Sequence, residues 1–381
     1  MELDLYTQYL LLAFVLAFVF GAIANKANFC TMGAVSDWIN MGDLNRMRSW
    51  FLAIATAILG VGILEYLGSV DMSLTTSNDT SNPPYRSANF IWLRHLLGGL
   101  MFGVGMTLAS GCGNKTLVRL GEGNLKSLVV LFVMGVAAWW MLFTSLSYYA
   151  FLQWMLPVSI DFSLRDISGQ DLPAVAAGLL GFEASATTGL AIALLVSVPM
   201  LIWVFRSADF RANLELLIAG LVIGALVVLG WYVTAGPDGQ LLLEELDFAD
   251  ERPFFTGAQS FTFVGPAAHV LQYGKEGFDS LYLTFGVALV AGIITGSFLY
   301  TLIFRKVRLE WFANLKDFGM HVFGAVLMGV GGVLGMGCTI GQGITGMSTL
   351  ALGAAVTLVA IIAGSAATMK YQFYLMMRED D

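Results

Sequence analysis

Long apolar segments, separated by short polar loops, recur along the whole of the 381-residue chain. Each is close to the length that a helix needs to cross the hydrocarbon core of a bilayer. The pattern predicts nine membrane-spanning helices. Their approximate ranges are 8–24, 50–70, 91–110, 127–151, the later part of 173–205, 213–235, 281–303, 318–337 and 351–374. The sequence therefore predicts an all-α integral membrane protein with one transmembrane domain over 1–381.

Two further apolar stretches are too short or too irregular to cross a membrane alone. The first part of 173–205 carries Gly178, Gly181 and Glu183, and the stretch 260–273 is split by Gly265 and Pro266. We expect both to be partly inserted, re-entrant pieces rather than full spans.

Four polar or glycine-rich breaks interrupt the pattern at membrane depth, at 28–33, 110–115, 265–266 and 337–343. Irregular backbone at that depth is tolerated only when it is buried in protein or lines a water-filled path. A short helix that starts after a break presents free backbone N–H groups and the positive end of its dipole. The breaks therefore predict a pathway that can hold a small anion.

An internal repeat links two of these breaks. Residues 95–112 match residues 321–338 without a gap and with eight identities in eighteen positions, which include His95 on His321 and Cys112 on Cys338. The alternative is that glycine-rich helices look alike because small residues let membrane helices pack closely. We predict pseudo-repeat halves of roughly 1–151 and 260–381, joined by 152–259. A weaker alignment of the first span on the seventh sets Gly21 on Gly292 and Cys30 opposite Thr301.

Lysine and arginine are concentrated in alternate loops, and this bias predicts the orientation. The loops 71–90, 152–172 and 236–259 carry few of them and are expected outside, with the N-terminus, whereas the C-terminus is expected in the cytoplasm. The third span then runs inward and the eighth outward. Matching helices in opposite orientations form an inverted repeat, an architecture of many secondary transporters.

The composition narrows the function. The chain is 57% hydrophobic and 12% charged with a formal charge of −8, which fits a membrane protein and argues against nucleic acid as a partner. It has three cysteines and three histidines but no C-x-x-C and no H-E-x-x-H motif. We expect no metal site and no cofactor. Nothing resembles a nucleotide-binding loop.

All three cysteines lie at breaks, and two of them are related by the repeat. A neutral thiol is a weak donor and a soft, polarisable contact for a sulfur-containing anion. The alternative for any one membrane cysteine is a small apolar filler. The predicted substrate pathway consists of Asn28, Cys30, Gly111, Cys112, Gly113, Asn114, Lys115, Gly337, Cys338, Thr339, Gly341 and Gln342.

Charged residues beside apolar sequence have two interpretations. Lys115, Arg119 and Lys126 either fix the topology and contact lipid phosphates or form a vestibule that attracts anions. Glu65 and Glu183 are candidate proton sites.

Three motifs resemble the YeeE/YedE transporter family: N-K-A-N-F-C at 25–30, A-S-G-C-G-N-K-T-L-V-R-L-G-E-G-N-L-K-S at 109–127 and G-M-G-C-T-I-G-Q-G-I-T-G at 335–346. The resemblance covers nearly the whole chain. It implies uptake of thiosulfate across the bacterial inner membrane through an hourglass of nine spans and short helices. The pathway cysteines at the tips of those helices would be Cys30, Cys112 and Cys338. It also implies a possible partner, a small cytoplasmic sulfur-carrier protein of the TusA type.

We therefore predict a multi-pass transporter, not an enzyme, that takes up thiosulfate or a related small sulfur oxyanion. Selenium or other sulfur species stay open as substrates, because some family members are linked to selenium metabolism. A membrane thiol or persulfide sulfur-transfer enzyme is the rival from another class. It would be expected to pair low-pKa cysteines, for which the sequence has no C-x-x-C motif.

Overall fold

A computed structural model describes residues 4–75, 84–249 and 251–379. In these residues nine helices are long and apolar enough to cross a membrane, as the sequence predicted. The helices are α1 (Leu5–Lys26), α2 (Thr31–Ser36), α3 (Asn45–Tyr66), α4 (Trp92–Leu108), α5 (Gly113–Gly121), α6 (Leu125–Phe143), α7 (Gln153–Met155), α8 (Leu172–Leu180), α9 (Ala186–Phe205), α10 (Ala208–Ala212), α11 (Leu214–Ala235), α12 (Pro237–Asp247), α13 (Val264–Lys275), α14 (Phe285–Ile303), α15 (Leu315–Leu334) and α16 (Leu352–Glu379).

The spanning segments are α1, α3, α4, α6, α9, α11, α14, α15 and α16. Short helices α2, α5, α8 and α13 fill the places where breaks or partial insertions were expected. Two π-helices, Asp37–Met41 and Gly341–Gly346, continue the turns that follow Cys30 and Cys338. The only strands in the described residues are β1 (Asn89–Phe90) and β2 (Ile160–Asp161), which pair antiparallel.

The fourth span is shorter than predicted. Helix α6 ends at Phe143 because Thr144 takes an extended conformation. The aromatic residues that follow belong to a π-helix, Tyr148–Leu152, and to short turns. An apolar run alone does not locate such an end, since these residues remain apolar after the helix stops.

The loops meet at two opposite ends of the bundle. At the end that we call the basic end, Leu125 N–H donates to Glu310 O at 3.2 Å and Lys126 pairs with Asp317 at 2.9 Å. At the opposite, acidic end, β1 pairs with β2, and Asp71 N–H donates to Ala235 O at 3.0 Å. The Tyr6 hydroxyl, in the first turn of α1, donates to Leu283 O at 2.8 Å, beside the loop that follows α12 at the acidic end, where Phe254 N–H donates to Leu281 O at 2.8 Å. Helix α1 therefore begins at the acidic end and runs toward the basic end.

Helices α4 and α15 cross with reciprocal glycine contacts. A Cβ on Gly98 would lie 2.8 Å from Gly331 O, and one on Gly331 would lie 2.7 Å from Gly98 O. A Cβ on Gly105 or on Gly324 would likewise lie 2.6 Å from the carbonyl oxygen of the other. The repeat equates Gly98 with Gly324 and Gly105 with Gly331, so exchanging the two helices exchanges the two contacts. Reciprocity of this kind is what a pseudo-two-fold axis produces.

The same symmetry extends to the neighbouring helices. A Cβ on Gly103 of α4 would meet Ile361 O of α16 at 2.2 Å, and one on Gly329 of α15 would meet Met134 O of α6 at 2.5 Å. Thus α16 packs on α4 as α6 packs on α15. Small residues permit this close approach, which stabilises helix association where lipid supplies no hydrophobic drive.

Candidate functional site

Each cysteine lies two residues after a sharp backbone reversal. Asn28, Ser110 and Met336 have φ values of 53°, 56° and 63°, in the left-handed region. Non-glycine residues adopt this conformation rarely, and single examples persist where the surrounding structure holds them. In each case a spanning helix ends, the chain reverses, and a short helix begins directly after the cysteine.

The three sulfur atoms occupy equivalent capping positions. Cys30 and Cys112 are the N-caps of α2 and α5, and Cys338 precedes Thr339, where the next helical turn begins. Each sulfur faces the backbone N–H of the residue three positions later in the chain, which is Gly33, Lys115 or Gly341. The Gly341 N–H donates to Cys338 Sγ at 3.4 Å. Sulfur is a weaker acceptor than the Ser, Thr, Asp or Asn oxygen that usually caps helices. The N–H groups in the first turn after each cysteine are therefore only weakly hydrogen-bonded by its sulfur.

Two of the cysteines touch. The sulfur atoms of Cys30 and Cys112 lie 3.9 Å apart, and both thiols are free and buried. Cys338 belongs to the other side of the pseudo-repeat, and its neighbour Thr339 faces Cys112. Breaks that are far apart in sequence thus meet in the middle of the bundle.

Two cations on α5 hold the reversals in place. Lys115, which is buried, donates to the Asn28 side-chain oxygen, and Arg119 donates to Ser110 O at 2.7 Å. Asn114 adds a bond from its amide to Phe29 O at 3.0 Å. Lys115 therefore lies between the breaks that carry Cys30 and Cys112. It acts in this structure as a structural donor to the first break.

The predicted glycines differ in how closely they are packed. A Cβ on Gly341 would lie 2.4 Å from Thr262 Oγ1, so the turn after Cys338 requires glycine there. On Gly113 it would meet Phe263 Cβ at 3.6 Å, an ordinary contact, and on Gly111 it would meet Lys115 Cγ at 3.4 Å. Gly337 packs its backbone against Gly341 and Gln342.

Among the residues that the structure describes, buried polar atoms without a hydrogen-bond partner gather at these helix starts. They are Thr31 Oγ1, Asn114 Oδ1, Thr339 Oγ1, both amide atoms of Gln342 and, on the adjacent α3, Trp50 Nε1. Gln342 is fully buried. Leaving such groups unpaired costs free energy, and most buried polar groups in proteins are paired. Their concentration here is what a site for a polar ligand requires.

The fourth break is not where the sequence placed it. Helix α13 begins at Val264, so Gly265 and Pro266 lie in its first turn and the irregular backbone precedes them. Proline is well tolerated in a first turn because its missing N–H would have had no partner there. Thr262 and Phe263 face the Cys338 sulfur. This break contributes backbone and a hydroxyl to the site, and no cysteine.

The acidic end of the site is closed by an ion pair between a buried arginine and a partly buried glutamate. Arg86 binds Glu65 through two parallel hydrogen bonds of 2.7 and 2.9 Å and donates from Nε to Thr349 O at 3.2 Å. Burial lowers the pKa of Arg86, but the hydrogen bond to Glu65 and the negative charges of Glu65, Asp171 and Asp71 together outweigh it, so the net shift is upward. Glu65, a candidate proton site from sequence, is thus the partner of an arginine. Neighbouring Tyr85 donates to Gly341 O at 3.1 Å.

A cavity of about 690 Å³ opens beside the site at the basic end. Met32 and Ser110, two residues from Cys30 and Cys112 respectively, contribute to its wall, together with Asn40, Thr107 and Lys370. Its lining is mixed, with hydroxyl, amide and ammonium groups opposite methionine side chains. A small hydrated anion can be accommodated in such a space.

Several of these residues were not predicted. Trp50, Tyr85 and Arg86 come from segments that read as an ordinary span and a polar loop, and only the fold brings them to the breaks. Thr31 had a detectable signal, because Cys30-Thr31 repeats in Cys338-Thr339. In the described residues no group of three or more His, Cys, Asp or Glu could hold a metal ion.

Comparison with known proteins gives a consistent result. A family model described as sulphur transport matches residues 26–367. The chain is 28% identical over 336 residues to the thiosulfate transporter TsuA of Escherichia coli (strain K12), covering 85% of this chain and 83% of that protein. It is 22% identical over 349 residues to the thiosulfate transporter TsuA of Spirochaeta thermophila, covering 89% and 91%.

Proposed function

The chain belongs to the sulphur transport family, and from this membership we propose that it is a bacterial inner-membrane transporter that takes up thiosulfate. Both relatives described above carry that activity in their names. The observation that carries the proposal within this chain is the set of three cysteines, each at the start of a short helix directly after a left-handed reversal.

The chemistry of the site suits a small sulfur oxyanion. Oxyanion oxygens accept hydrogen bonds from first-turn N–H groups that sulfur caps hold only weakly. The thiols and the terminal sulfur of thiosulfate are both soft and polarisable. Unpaired donors on Thr31, Thr339 and Gln342 are available without breaking existing bonds. Binding by neutral groups stays moderate, which permits release and onward movement.

We propose a route from the acidic end to the basic end. The anion enters past Tyr85 and Arg86, contacts Cys338 and Gln342, and reaches Cys112 and Cys30. It then leaves through the mixed cavity that Lys370 lines. In this orientation the acidic end and the N-terminus face outward, and the basic end faces the cytoplasm. A sulfur-carrier protein of the TusA type would receive its substrate at the basic end.

The packing favours a particular division into halves, α1–α6 and α11–α16. In this division α1 corresponds to α11 and α3 to α14, and the contact of α1 with α14 matches that of α11 with α3. Likewise α2 corresponds to α13 and α6 to α16, and the contact of α2 with α16 matches that of α13 with α6. This division starts the second half near 214, earlier than the predicted 260, and leaves α8, α9 and α10 as an insertion. The break before α13, and not Thr301, is then the counterpart of Cys30.

Uptake of labelled thiosulfate into proteoliposomes tests the proposed substrate. We expect excess unlabelled thiosulfate to abolish uptake and equimolar sulfate to leave it nearly unchanged, because sulfate lacks the soft terminal sulfur. Selenite that competes as well as thiosulfate would assign the site to a broader or selenium-linked substrate. Ser197→Ala, which removes a buried hydroxyl bonded within α9, is the matched control for variants of the cysteines in the same assay.

The orientation is tested separately. A single cysteine introduced at the exposed Phe248, in a variant whose uptake is retained, should react with a membrane-impermeant maleimide added outside intact cells. Reaction only after the cells are opened would reverse the proposed direction.

A further inference from the structure

A second cavity, unconnected with the cysteines, lies on the membrane-facing side of the bundle at the basic end. It measures about 620 Å³ and lies where α3, α9 and α16 meet the π-helix Asp37–Met41. Its lining is almost wholly apolar and includes Phe51, Met200 and Ile362. Ile362 is ten residues into α16, about 15 Å from its start, so the cavity extends from the membrane surface toward the bilayer centre.

Two tryptophans mark the outer rim of this cavity. Trp38 and Trp203 line it and remain 42% and 37% exposed. Tryptophan is enriched at the level of the lipid headgroups because its ring is apolar and its N–H is polar. The rim therefore lies at headgroup depth and the interior at acyl-chain depth.

A cation without an anionic partner lies at the same rim. The Arg48 guanidinium lies 5.1 Å from the centre of the Trp203 ring, and Arg48 Nε is buried with no hydrogen-bond partner among the described residues. No ion pair to Arg48 occurs in the part of the chain that the structure describes. The neighbouring Arg46, in contrast, is bound to Asp37 at 2.8 Å.

We propose that this cavity binds one anionic phospholipid from the leaflet at the basic end. An acyl chain fills the apolar interior, and the phosphate pairs with Arg48 at the tryptophan rim. Free phosphate has no apolar part for the cavity, and a zwitterionic lipid would set its own cation against Arg48. A second protein chain would leave Arg48 unpaired unless it brought an acid to the same point.

The position of the cavity suggests what the lipid does. Helix α9 packs mainly on α3 and is the least buried of the nine spans in the described residues. A lipid held against both helices adds contact area where the protein alone has little. The same segment of α3 carries Trp50 toward the cysteine site, so the lipid braces the wall behind that site.

Native mass spectrometry of the full-length protein, exchanged with phosphatidylglycerol or with phosphatidylcholine of the same acyl chains, tests the proposal. The wild-type protein should retain phosphatidylglycerol preferentially. Arg48→Gln should reduce that preference about fivefold, the factor that corresponds to one basic residue near an anionic lipid surface. Arg206→Gln, an exposed cation at the same end, is the control and should change nothing.

Met200→Trp fills the cavity and should abolish retention of both lipids, while melting followed by circular dichroism verifies that the variant is folded. Unchanged lipid preference in Arg48→Gln would overturn the proposal, as would full retention in Met200→Trp. Displacement of the lipid by inorganic phosphate, or a dimer that Met200→Trp dissociates, would also overturn it.

Discussion

The sulfur atoms of Cys30 and Cys112 lie 3.9 Å apart at the starts of two different broken helices. At that separation they are in contact, and no bond joins them, since a disulfide holds its sulfurs at about 2.05 Å. Each thiol is fixed by a reversal that a cation on α5 anchors, Asn28 by Lys115 and Ser110 by Arg119. On the proposed route, an anion that passes between the two breaks contacts both thiols.

Intact-protein mass spectrometry during turnover distinguishes relay from covalent chemistry. If the thiols only contact the anion, Cys30, Cys112 and Cys338 carry no added sulfur while uptake proceeds. A thiol enzyme would instead cycle through persulfide or thiosulfonate states. An adduct that forms and disappears at the rate of uptake would refute the relay. The Cys30→Ser variant, which cannot form such a state at that position, provides the mass reference.

The bond between Lys115 and Asn28 should contribute to stability as well as transport. In a double-mutant cycle of Asn28→Ala and Lys115→Met, we expect a coupling of about 1.5–3 kcal/mol, typical of a hydrogen bond to a charged group. Denaturant unfolding in detergent measures it. The exposed pair Lys275 and Glu276, 3.8 Å apart, should couple by about 0–1 kcal/mol. Equal coupling in both pairs would contradict a structural role for Lys115.

Gly324 should tolerate no side chain. Gly324→Ala places a Cβ 2.6 Å from Gly105 O, and overpacking of this kind costs about 1–3 kcal/mol. Gly319→Ala, in the same helix and with nothing within 4 Å, should instead stabilise the protein by about 0.5–1 kcal/mol. Melting temperatures in detergent compare the two. A neutral Gly324→Ala variant would mean that α4 and α15 are further apart than described.

Arginine at position 86 should not be replaceable by lysine. Arg86 uses two nitrogens for Glu65 and a third for Thr349 O, a geometry that a single ammonium cannot reproduce. We expect Arg86→Lys to lower the free energy of unfolding by about 1–3 kcal/mol and to slow uptake. Arg252→Lys, in an exposed pair with Asp247, is the control. Unchanged stability and uptake in Arg86→Lys would contradict the role of the Arg86–Glu65 ion pair in closing the acidic end.

The sequence predicted the nine spans because length and hydropathy determine them locally. It also located three of the four breaks, since glycine and polar residues beside a cysteine interrupt an apolar run visibly. The fourth was misplaced by a few residues, because Gly265 and Pro266 look like helix breakers while proline suits the first turn of α13.

The remaining site residues depend on long-range packing. Glu65 and Arg86 are separated by a polar loop, and nothing local indicates that they pair. Trp50 reads as one aromatic residue of a span, and only the fold sets it beside Gly343 and against Phe29. The repeat explains why the contact of Gly98 with Gly331 has a symmetrical counterpart in that of Gly324 with Gly105. The sequence alone does not show that α4 and α15 touch.

The initial rate of labelled thiosulfate uptake by Cys112→Ala, compared with Ser197→Ala in matched proteoliposomes, tests the central claim most directly. Cys112 contacts Cys30 and faces Thr339, so on the proposed route its loss removes the contact that joins the two halves. Removing a contact worth about 1–2 kcal/mol should slow uptake about 5- to 30-fold while the protein stays folded. Uptake at the rate of Ser197→Ala would contradict a pathway that runs through the thiols.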